Sequence, residues 1–216
     1  MVPVMKPLST SIFTFQDLID GGYLYVDKTR HIFDLVSGFK GQYFLARPRR
    51  FGKSLLVSTL KAIFLNRREL FTGLWLDSAE YDWKAYPVIH LDMGSCVADT
   101  KEKLEEKLLR KLDYNAQDNN VKLSCTDPGS AFEELVLELA KRDGKVVILV
   151  DEYDKPLLGK LGTPDVREIQ SLLKTFYGVI KTTEASQRFA LITGVSKFSK
   201  VSVFSDLNNL TDLTMS

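Results

Sequence analysis

The chain reads Gln42-Tyr-Phe-Leu-Ala46-Arg-Pro-Arg-Arg-Phe-Gly-Lys-Ser54 at the point that determines its architecture. The apolar run up to Ala46 is typical of a buried strand, and apolar residues recur at helical spacing from Lys53 to about Asn66. Gly52-Lys-Ser54 therefore opens a helix after a strand and a loop. A phosphate-binding loop occupies this position, because a helix N-terminus presents free N–H groups and the positive end of its dipole.

The loop departs from the G-x-x-x-x-G-K-[ST] pattern, because Arg47 stands where the first glycine belongs. Pro48 has no N–H group to donate, and arginine does not adopt the backbone angles of glycine cheaply. Guanidinium groups bind phosphate well and can replace the missing amide donors. A basic surface turn remains the open alternative. The predicted nucleotide-binding residues are Arg47, Arg49, Arg50, Phe51, Gly52, Lys53, Ser54 and Leu55, with the Ser54 hydroxyl also a ligand of Mg²⁺.

The strongest predicted strand, Lys145-Val-Val-Ile-Leu-Val150, ends in the acidic pair Asp151-Glu152. An ATPase of the additional-strand class needs such a pair, because Asp151 would hold Mg²⁺ and Glu152 would deprotonate the attacking water. Ligands of open α/β sheets bind at the carboxyl ends of strands, so both motifs would face one crevice. The alternative is that the two acids only leave the core and cap the next segment.

A further predicted strand, Phe189-Ala-Leu-Ile-Thr193, ends in a polar side chain. Thr193 is a candidate catalytic residue that hydrogen-bonds the water or the γ-phosphate, and a simple polar strand end is the equal alternative. Arg188, Lys197 and Lys200 lie nearby in sequence, but solvated surface charge is the preferred interpretation of each.

Strands and helices alternate along the chain. The apolar pattern predicts another strand over Pro87–Asp92. It predicts helices from Lys101 to about Asp113, from about Gly129 to Lys141, and from Asp165 to about Lys181. Thr100 is the expected cap of the first of these helices, and a polar stretch from Asn115 to Asp127 follows that helix. This alternation predicts an α/β fold with a parallel sheet covered by helices on both faces.

The composition limits the possible partners and compartment. The 216 residues carry a net charge of +1, so there is no general polycation for nucleic acid or anionic lipid. His31 and His90 leave little for a zinc site, and no apolar run approaches the roughly 20 residues that cross a bilayer. Cys96 and Cys125 do not form a disulfide framework, which favours a reducing compartment, and we expect a cytoplasmic protein.

Together the motifs resemble those of the AAA-ATPase-like proteins of bacteria and archaea. The resemblance rests on blocks across nearly the whole chain. The blocks are Tyr25-Val-Asp-Lys-Thr29, Arg47-Pro-Arg-Arg-Phe-Gly-Lys-Ser54, Val150-Asp-Glu-Tyr-Asp154 with Pro156, Thr193-Gly-Val-Ser196, and Phe204-Ser-Asp-Leu-Asn-Asn-Leu-Thr-Asp-Leu-Thr214. In this family the loop without its first glycine is a normal form of the Walker A motif, and the acidic block is similar to its Walker B motif.

The resemblance implies a P-loop NTPase domain that binds ATP and Mg²⁺, with strand order 5-1-4-3-2. It divides residues 1–216 into an N-terminal lead-in (1–40) and a P-loop core (41–216). It also implies a longer protein with a PD-(D/E)XK nuclease-like domain, so we expect this chain to be a fragment without that domain and without a helical lid. By the same analogy Tyr25–Thr29 lies against the nucleotide, and a helix cap by Asp27 or Thr29 is the equal alternative.

Three functions remain open from the sequence. The first is ATP binding with slow hydrolysis. The second is a nucleotide-dependent switch with little turnover, which the loop without glycines and with Pro48 favours. The third is a module whose Arg47, Arg49, Arg50 and Lys53 contact nucleic acid, although no aromatic platform accompanies them beyond Phe51. A kinase is disfavoured, because an Asp-Glu pair suits activation of water better than transfer to another acceptor.

Overall fold

The computed structural model describes residues 6–9, 11–158, 160, 164–195 and 210–214. Its strands are β1 (Gly41–Ala46), β2 (Val88–Asp92), β3 (Val146–Asp151), β4 (Gln187–Gly194) and β5 (Thr211–Asp212). Its helices are α1 (Phe15–Asp20), α2 (Thr29–Val36), α3 (Lys53–Phe64), α4 (Lys101–Asp118), α5 (Pro128–Asp143) and α6 (Val166–Thr182). Short 3₁₀ turns span Arg68–Phe71, Trp75–Ser78 and Glu184–Ser186.

The strands form one parallel sheet in the order β2-β3-β4-β1-β5 within the described residues. This is the predicted order 5-1-4-3-2 read from the opposite edge, and the prediction is confirmed. The strand inserted between β1 and β3 is β4, which is the mark of the additional-strand class. The segments that follow β3, β4 and β1 therefore leave the sheet side by side.

Helices cover both faces of the sheet, as predicted. On one face α4, α5 and α6 pack over side chains such as Ile148 and Val150, while α1, α2 and α3 pack over Val147 and Leu149 on the other. These four residues alternate along β3 and are all fully buried. A strand buried on both faces has no polar side, which explains its unbroken apolar sequence.

The fifth strand escaped the sequence patterns. β5 is short and exposed, and it adds to the edge of β1 through the pairs Tyr43–Thr211 and Phe44–Asp212. The main-chain N–H of Leu213 donates to the carbonyl of Phe44 at 2.8 Å. Two exposed polar residues carry no alternation of apolar and polar side chains, so their pairing depends on the main chain of β1.

The fourth helix is longer than predicted. Thr100 caps it, as expected, but it continues through Asn115 to Asp118 into the stretch predicted to be irregular. Asn115 is buried, and its side chain pairs with both main-chain groups of His90, at 2.7 and 3.0 Å. The amide thus satisfies the free edge of β2, a contact between distant segments that local propensity does not reveal.

The described part of the N-terminal lead-in belongs to the same core as the P-loop helix. Phe15, Ile32 and Val36 are buried in the cluster that contains α3. The division into residues 1–40 and 41–216 remains a prediction. Parts of two sequence blocks, Ser196 and 204–209, and the candidates Lys197 and Lys200 lie outside the described residues.

Candidate nucleotide site

The loop between β1 and α3 has two residues in the left-handed backbone region. Gly52 has φ +75°, and its carbonyl accepts the first helical hydrogen bond, from Leu56 at 2.9 Å. A Cβ atom at Gly52 would meet nothing within 4 Å, so the backbone angle rather than space calls for glycine. Arg50 has φ +67° without being glycine, a conformation that costs roughly 1–2 kcal/mol. The loop therefore holds backbone strain.

Lys53 is the first residue of α3, and its side chain is folded back over the loop. Its ammonium donates to the carbonyl oxygens of Arg47, at 3.0 Å, and Pro48, at 3.1 Å. The residue is only 6% exposed. These two carbonyl oxygens accept the hydrogen bonds that the ammonium would otherwise donate to phosphate oxygens.

The three loop arginines have no such contacts. Arg49 and Arg50 are exposed, Arg47 is half-buried, and within the described residues none of their guanidinium groups donates to a protein acceptor. Phe51 is 67% exposed, and Ser54 and Leu55 are half-buried at the start of α3. The predicted binding residues therefore form one positive surface around the helix N-terminus.

The acidic end of β3 is held by hydrogen bonds. One carboxylate oxygen of Asp151, Oδ1, accepts from the main-chain N–H of Glu152 at 3.0 Å and from the hydroxyl of Thr193. Asp151 is 5% exposed and Thr193 is fully buried. The main-chain N–H of Tyr153 donates to the carbonyl of Thr193 at 2.9 Å, which joins the ends of β3 and β4. The hydroxyl of Thr193 is thus engaged with Asp151, and its contact with water or phosphate stays a prediction.

Glu152 adopts a left-handed backbone conformation, with φ +55°. Its side chain is about one-third exposed, and its Oε2 lies 3.8 Å from the ammonium of Lys155. A positive φ at a residue without the freedom of glycine is uncommon and clusters at functional sites. The conformation turns the chain sharply after β3 and keeps the carboxylate at the edge of the sheet.

A third carboxylate at this edge was missed from the sequence. Asp92 ends β2, beside Asp151 in the register of the sheet, and its Oδ1 accepts from the main-chain N–H of Gly94 at 2.8 Å. A Cβ atom built on Gly94 would lie 3.0 Å from that oxygen and 3.2 Å from Oε2 of Glu152. The available signal was an acid at the end of a predicted strand, followed by glycine two residues later.

The sheet brings the basic loop and the acidic strand end together. Only β4 separates β1 from β3, and strands lie about 4.8 Å apart, so the two segments leave the sheet roughly 10 Å from each other. The main-chain N–H of Arg47 also donates to the carbonyl of Gly194, the last residue of β4, at 3.1 Å. The predicted phosphate and metal residues therefore follow strands that have only β4 between them.

The donor set fits a magnesium ion that is shared with a ligand. The described residues contain no cluster of three or more His, Cys, Asp or Glu side chains able to hold a metal by themselves. Mg²⁺ is typically bound by one or two protein oxygens together with phosphate oxygens and water. The carboxylate of Asp151 and the hydroxyl of Ser54 are oxygen ligands of this kind.

The block Tyr25–Thr29 has a clear structural role. One carboxylate oxygen of Asp27 accepts from the main-chain N–H and the hydroxyl of Thr29, and the other accepts from the N–H of Trp75 at 2.7 Å. Burial raises the pKa of Asp27, but these hydrogen bonds outweigh it and hold the pKa below its ordinary value. The helix cap expected at Asp27 or Thr29 is not formed, because the N-cap position is Lys28 and no side chain caps α2; Asp27 instead accepts from the N–H of Thr29, the first residue of that helix. The contact of this block with a nucleotide stays a prediction.

The fold is that of an α/β P-loop nucleotide-binding domain. A helix N-terminus follows β1 and an acidic pair follows β3, with only β4 between these two strands. The chain belongs to the AAA-ATPase-like family, described as Predicted AAA-ATPase, whose model matches residues 9–204. In the part of the chain that the structure describes, no helix is both long and apolar enough to cross a membrane.

The proteins similar to this chain include one relative in sequence and one in structure. The "Uncharacterized protein in vnfD 5'region" of Azotobacter chroococcum mcd 1 is 42% identical over 214 residues, which are 97% of this chain and 41% of that protein. The chain therefore spans about two-fifths of the length of this relative. The ORC2 protein of Aeropyrum pernix, solved as ADPNP-ADP complexes, matches 91% of this chain and 50% of its own, with 11% identity and a TM-score of 0.49.

Proposed function

We propose that the domain binds ATP with Mg²⁺ and hydrolyses it slowly. The observation that carries the proposal is the sheet order. It leaves only β4 between β3, which ends at Asp151, and β1, which is followed by the loop to Lys53 at the start of α3. One cation for the β- and γ-phosphates and one carboxylate for the metal are what ATP-Mg²⁺ requires. Family membership supports the choice of nucleotide.

Phosphate binding begins with an exchange of partners at Lys53. Its ammonium leaves the carbonyls of Arg47 and Pro48 and donates to phosphate oxygens, while the free N–H groups at the start of α3 donate to the same phosphates. The exposed guanidinium groups of Arg49 and Arg50 add positive charge where the loop lacks the amide donors of a glycine-rich P-loop.

Metal binding uses Asp151 and Ser54. The hydroxyl of Thr193 and the N–H of Glu152 hold the carboxylate of Asp151 in place, so this carboxylate would hold the metal without rearrangement. When bound, Mg²⁺ neutralises charge that develops on the phosphate oxygens.

In the hydrolysis step, Glu152 is the proton acceptor. Water attacks the γ-phosphorus in line with the leaving oxygen of ADP, and the carboxylate of Glu152 accepts a proton from that water. The bond from phosphorus to the bridging oxygen breaks, and ADP leaves with its electron pair. Gly94 leaves room for the carboxylate, because a side chain there would stand 3.2 Å from Oε2.

A second candidate function is a nucleotide-dependent switch with little turnover. It is favoured by the hydrogen bonds of Lys53 to its own loop and by the ion pair of Glu152 with Lys155, since both contacts must break before catalysis.

In either function the nucleotide acts on an attached or partner domain. The resemblance to the family implies that this domain is nuclease-like. Contact of the exposed arginines with nucleic acid is a weaker alternative. The free thiols of Cys96 and Cys125 are consistent with our proposal of a cytoplasmic location.

Equilibrium binding of ATP with Mg²⁺ tests the proposal directly. We expect Lys53→Ala to weaken binding by roughly 10–100-fold, because a hydrogen bond from a charged group contributes about 1.5–3 kcal/mol. Lys103→Ala is the matched control, since Lys103 is exposed on α4 and the variant loses the same charge. Fluorescent ATP titration and calorimetry measure both variants.

The outcomes separate the candidate functions. Tight ATP binding with release of phosphate supports hydrolysis, and tight binding without release supports the switch. Absence of ATP binding, or equal weakening by the two substitutions, contradicts both. Binding of DNA or RNA that falls steeply with salt and with loss of the loop arginines would support the third alternative instead.

A further inference from the structure

A second cavity lies at the opposite edge of the sheet from the candidate nucleotide site. It has a volume of about 420 Å³ and is lined by the end of α2 and the turn after it, by the extended segment 80–86, and by residues at the starts of β3 and β4. Arg188 is near the start of β4 and Thr193 near its end, about 17 Å apart along the strand. The volume is within the range of small-molecule sites.

Arg188 forms the polar centre of this cavity. Its Nη2 donates to the carbonyl of Val36 at 2.5 Å, and its guanidinium lies 5.8 Å from the ring centre of Phe64 and 5.7 Å from that of Tyr86. Its Nη1 is buried and has no hydrogen-bond partner within the described part of the chain. The sequence analysis preferred solvated surface charge for Arg188, but the residue is half-buried and its Nη1 is shielded from solvent.

A buried charged donor without an acceptor calls for an explanation, because nearly all buried polar groups are hydrogen-bonded. The ring centres of Phe64 and Tyr86 lie 6.1 Å from each other, so both rings contact the guanidinium from the same side. An anion that accepts from Nη1 would complete the hydrogen bonding of Arg188.

Two tyrosine hydroxyl groups border the same space. Among the described residues, neither Tyr81 nor Tyr86 uses its hydroxyl in a hydrogen bond. Burial raises the pKa of Tyr81 to about 12, although the charge of Arg188 acts in the opposite direction. The phenol of Tyr81 therefore stays protonated at neutral pH and is available as a donor.

The remaining walls select the size and charge of a ligand. Phe33 and Phe39 supply apolar surface. The charged residues that line the cavity are three cations and two carboxylates, which leaves one net positive charge; they are Lys84, Lys145, Arg188, Glu80 and Asp82. One excess positive charge suits a monoanion better than a phosphate dianion.

We propose that this cavity binds an organic monocarboxylate with an apolar body. Its carboxylate accepts from Arg188 and from the hydroxyls of Tyr81 and Tyr86, and its body packs against Phe33 and Phe39. Because Nη1 is buried, binding moves a wall side chain. Phe39, one of the lining residues, is 88% exposed. The proposal is independent of the nucleotide site.

Calorimetric titration with phenylacetate tests the proposal on the 216-residue chain. We expect saturable binding of phenylacetate, weaker binding of phenyl phosphate as its dianion, and none of 2-phenylethanol, which has a similar shape without charge. Arg188→Met should weaken binding of phenylacetate by roughly 10-fold or more, and Tyr81→Phe by about 3–5-fold, as expected for a charged and a neutral hydrogen bond.

Arg110→Met is the matched control, because this arginine is exposed on α4 and pairs only with Glu106 in the described structure. It should leave phenylacetate binding unchanged, and Arg188→Met should leave ATP binding unchanged. If Arg188→Met does not fold, as circular dichroism would show, Tyr81→Phe decides. Absence of saturable phenylacetate binding, equal binding of 2-phenylethanol, or binding that neither cavity substitution weakens overturns the proposal.

Discussion

The two halves of the candidate nucleotide site differ in how completely the protein itself satisfies them. The acidic half consists of Asp92, Asp151, Glu152 and Thr193, and the basic half of residues 47–55. In the acidic half Asp151 is buried and accepts two hydrogen bonds from neighbours on β3 and β4. In the basic half the arginine side chains lack protein acceptors within the described residues, and Lys53 is bound to its own loop.

This difference indicates which half must change when a ligand binds. A carboxylate fixed by hydrogen bonds is preorganised for a metal and needs no movement. Lys53 must break two hydrogen bonds to carbonyl groups before it reaches a phosphate. Under the proposed function, the cost of opening the loop lowers the affinity for ATP, while the position of the proposed metal ligand is set in advance.

The largest expected effect separates chemistry from binding within the acidic half. Glu152→Gln keeps the size of the side chain but removes the proton acceptor, so phosphate release should fall by roughly 10²–10⁴-fold while ATP binding changes little. Steady-state phosphate assays and ATP titration measure the two effects. Glu133→Gln, on an exposed position of α5, is the control. Unchanged release in Glu152→Gln would remove this residue from the role of base.

The next effect tests whether the acidic half is preorganised. Thr193→Val removes the hydroxyl donor from buried Asp151 at nearly constant volume, so the free energy of unfolding should fall by about 1–3 kcal/mol. Urea denaturation measures this change. Thr193→Ser keeps the hydroxyl and should recover most of the loss of stability and of Mg²⁺-dependent ATP binding. Equal losses in both variants would assign the effect to packing.

A smaller effect is expected from the strain in the basic half. Arg50 has φ +67°, so Arg50→Gly should be more stable than Arg50→Ala by about 1 kcal/mol, because only glycine adopts this angle without strain. Both variants lose the same cation and should lose the same ATP affinity. Thermal unfolding and ATP titration distinguish the two contributions. A more stable alanine variant would show that the loop is not strained at this position.

The smallest expected effect concerns the pH dependence of stability and a carboxylate outside both halves of the site, that of Glu134. Glu134 accepts from the hydroxyl of Ser124 and from the main-chain N–H groups of Ser124 and Cys125, and these hydrogen bonds lower its pKa from 4.5 to about 2. In the unfolded chain Glu134 binds a proton first as the pH falls, so its stabilising contribution is present above pH 4.5 and is lost as the pH falls toward 2.

The Glu134→Gln variant should therefore lose less stability than the wild-type chain between about pH 5.5 and 3.5. Thermal midpoints at the two pH values measure the loss. Glu138→Gln, exposed on the same helix, should behave like the wild-type chain. An unchanged pH dependence in Glu134→Gln would show that the hydrogen bonds do not anchor this loop in solution.

The sequence predicted the parts of the molecule that local patterns determine. Apolar runs located β1 to β4, and the acids and the threonine singled out at two strand ends include Asp151 and Thr193, which the structure joins by a hydrogen bond. β5 was not found, because two polar residues on an edge strand have no pattern. The strand order came from the resemblance to the AAA-ATPase-like family.

Contacts between distant segments account for what the sequence left out. Asp92 joins the acidic half only because β2 pairs with β3, and Lys53 meets Pro48 only through the path of the loop. The surroundings of Arg188 were not predicted, because this residue lies near the start of β4, five residues before Thr193 at the other end of the strand. The surroundings of such residues depend on register and topology.

The most direct test of the two-part site is ATP binding by the wild-type chain, Lys53→Ala and Asp151→Asn, each with and without Mg²⁺. We predict that Lys53→Ala weakens ATP binding under both conditions, because it acts on phosphate. Asp151→Asn should weaken binding only when Mg²⁺ is present, because it acts through the metal. If Asp151→Asn has the same effect without Mg²⁺, or Lys53→Ala has none, the division into a phosphate half and a metal half is contradicted.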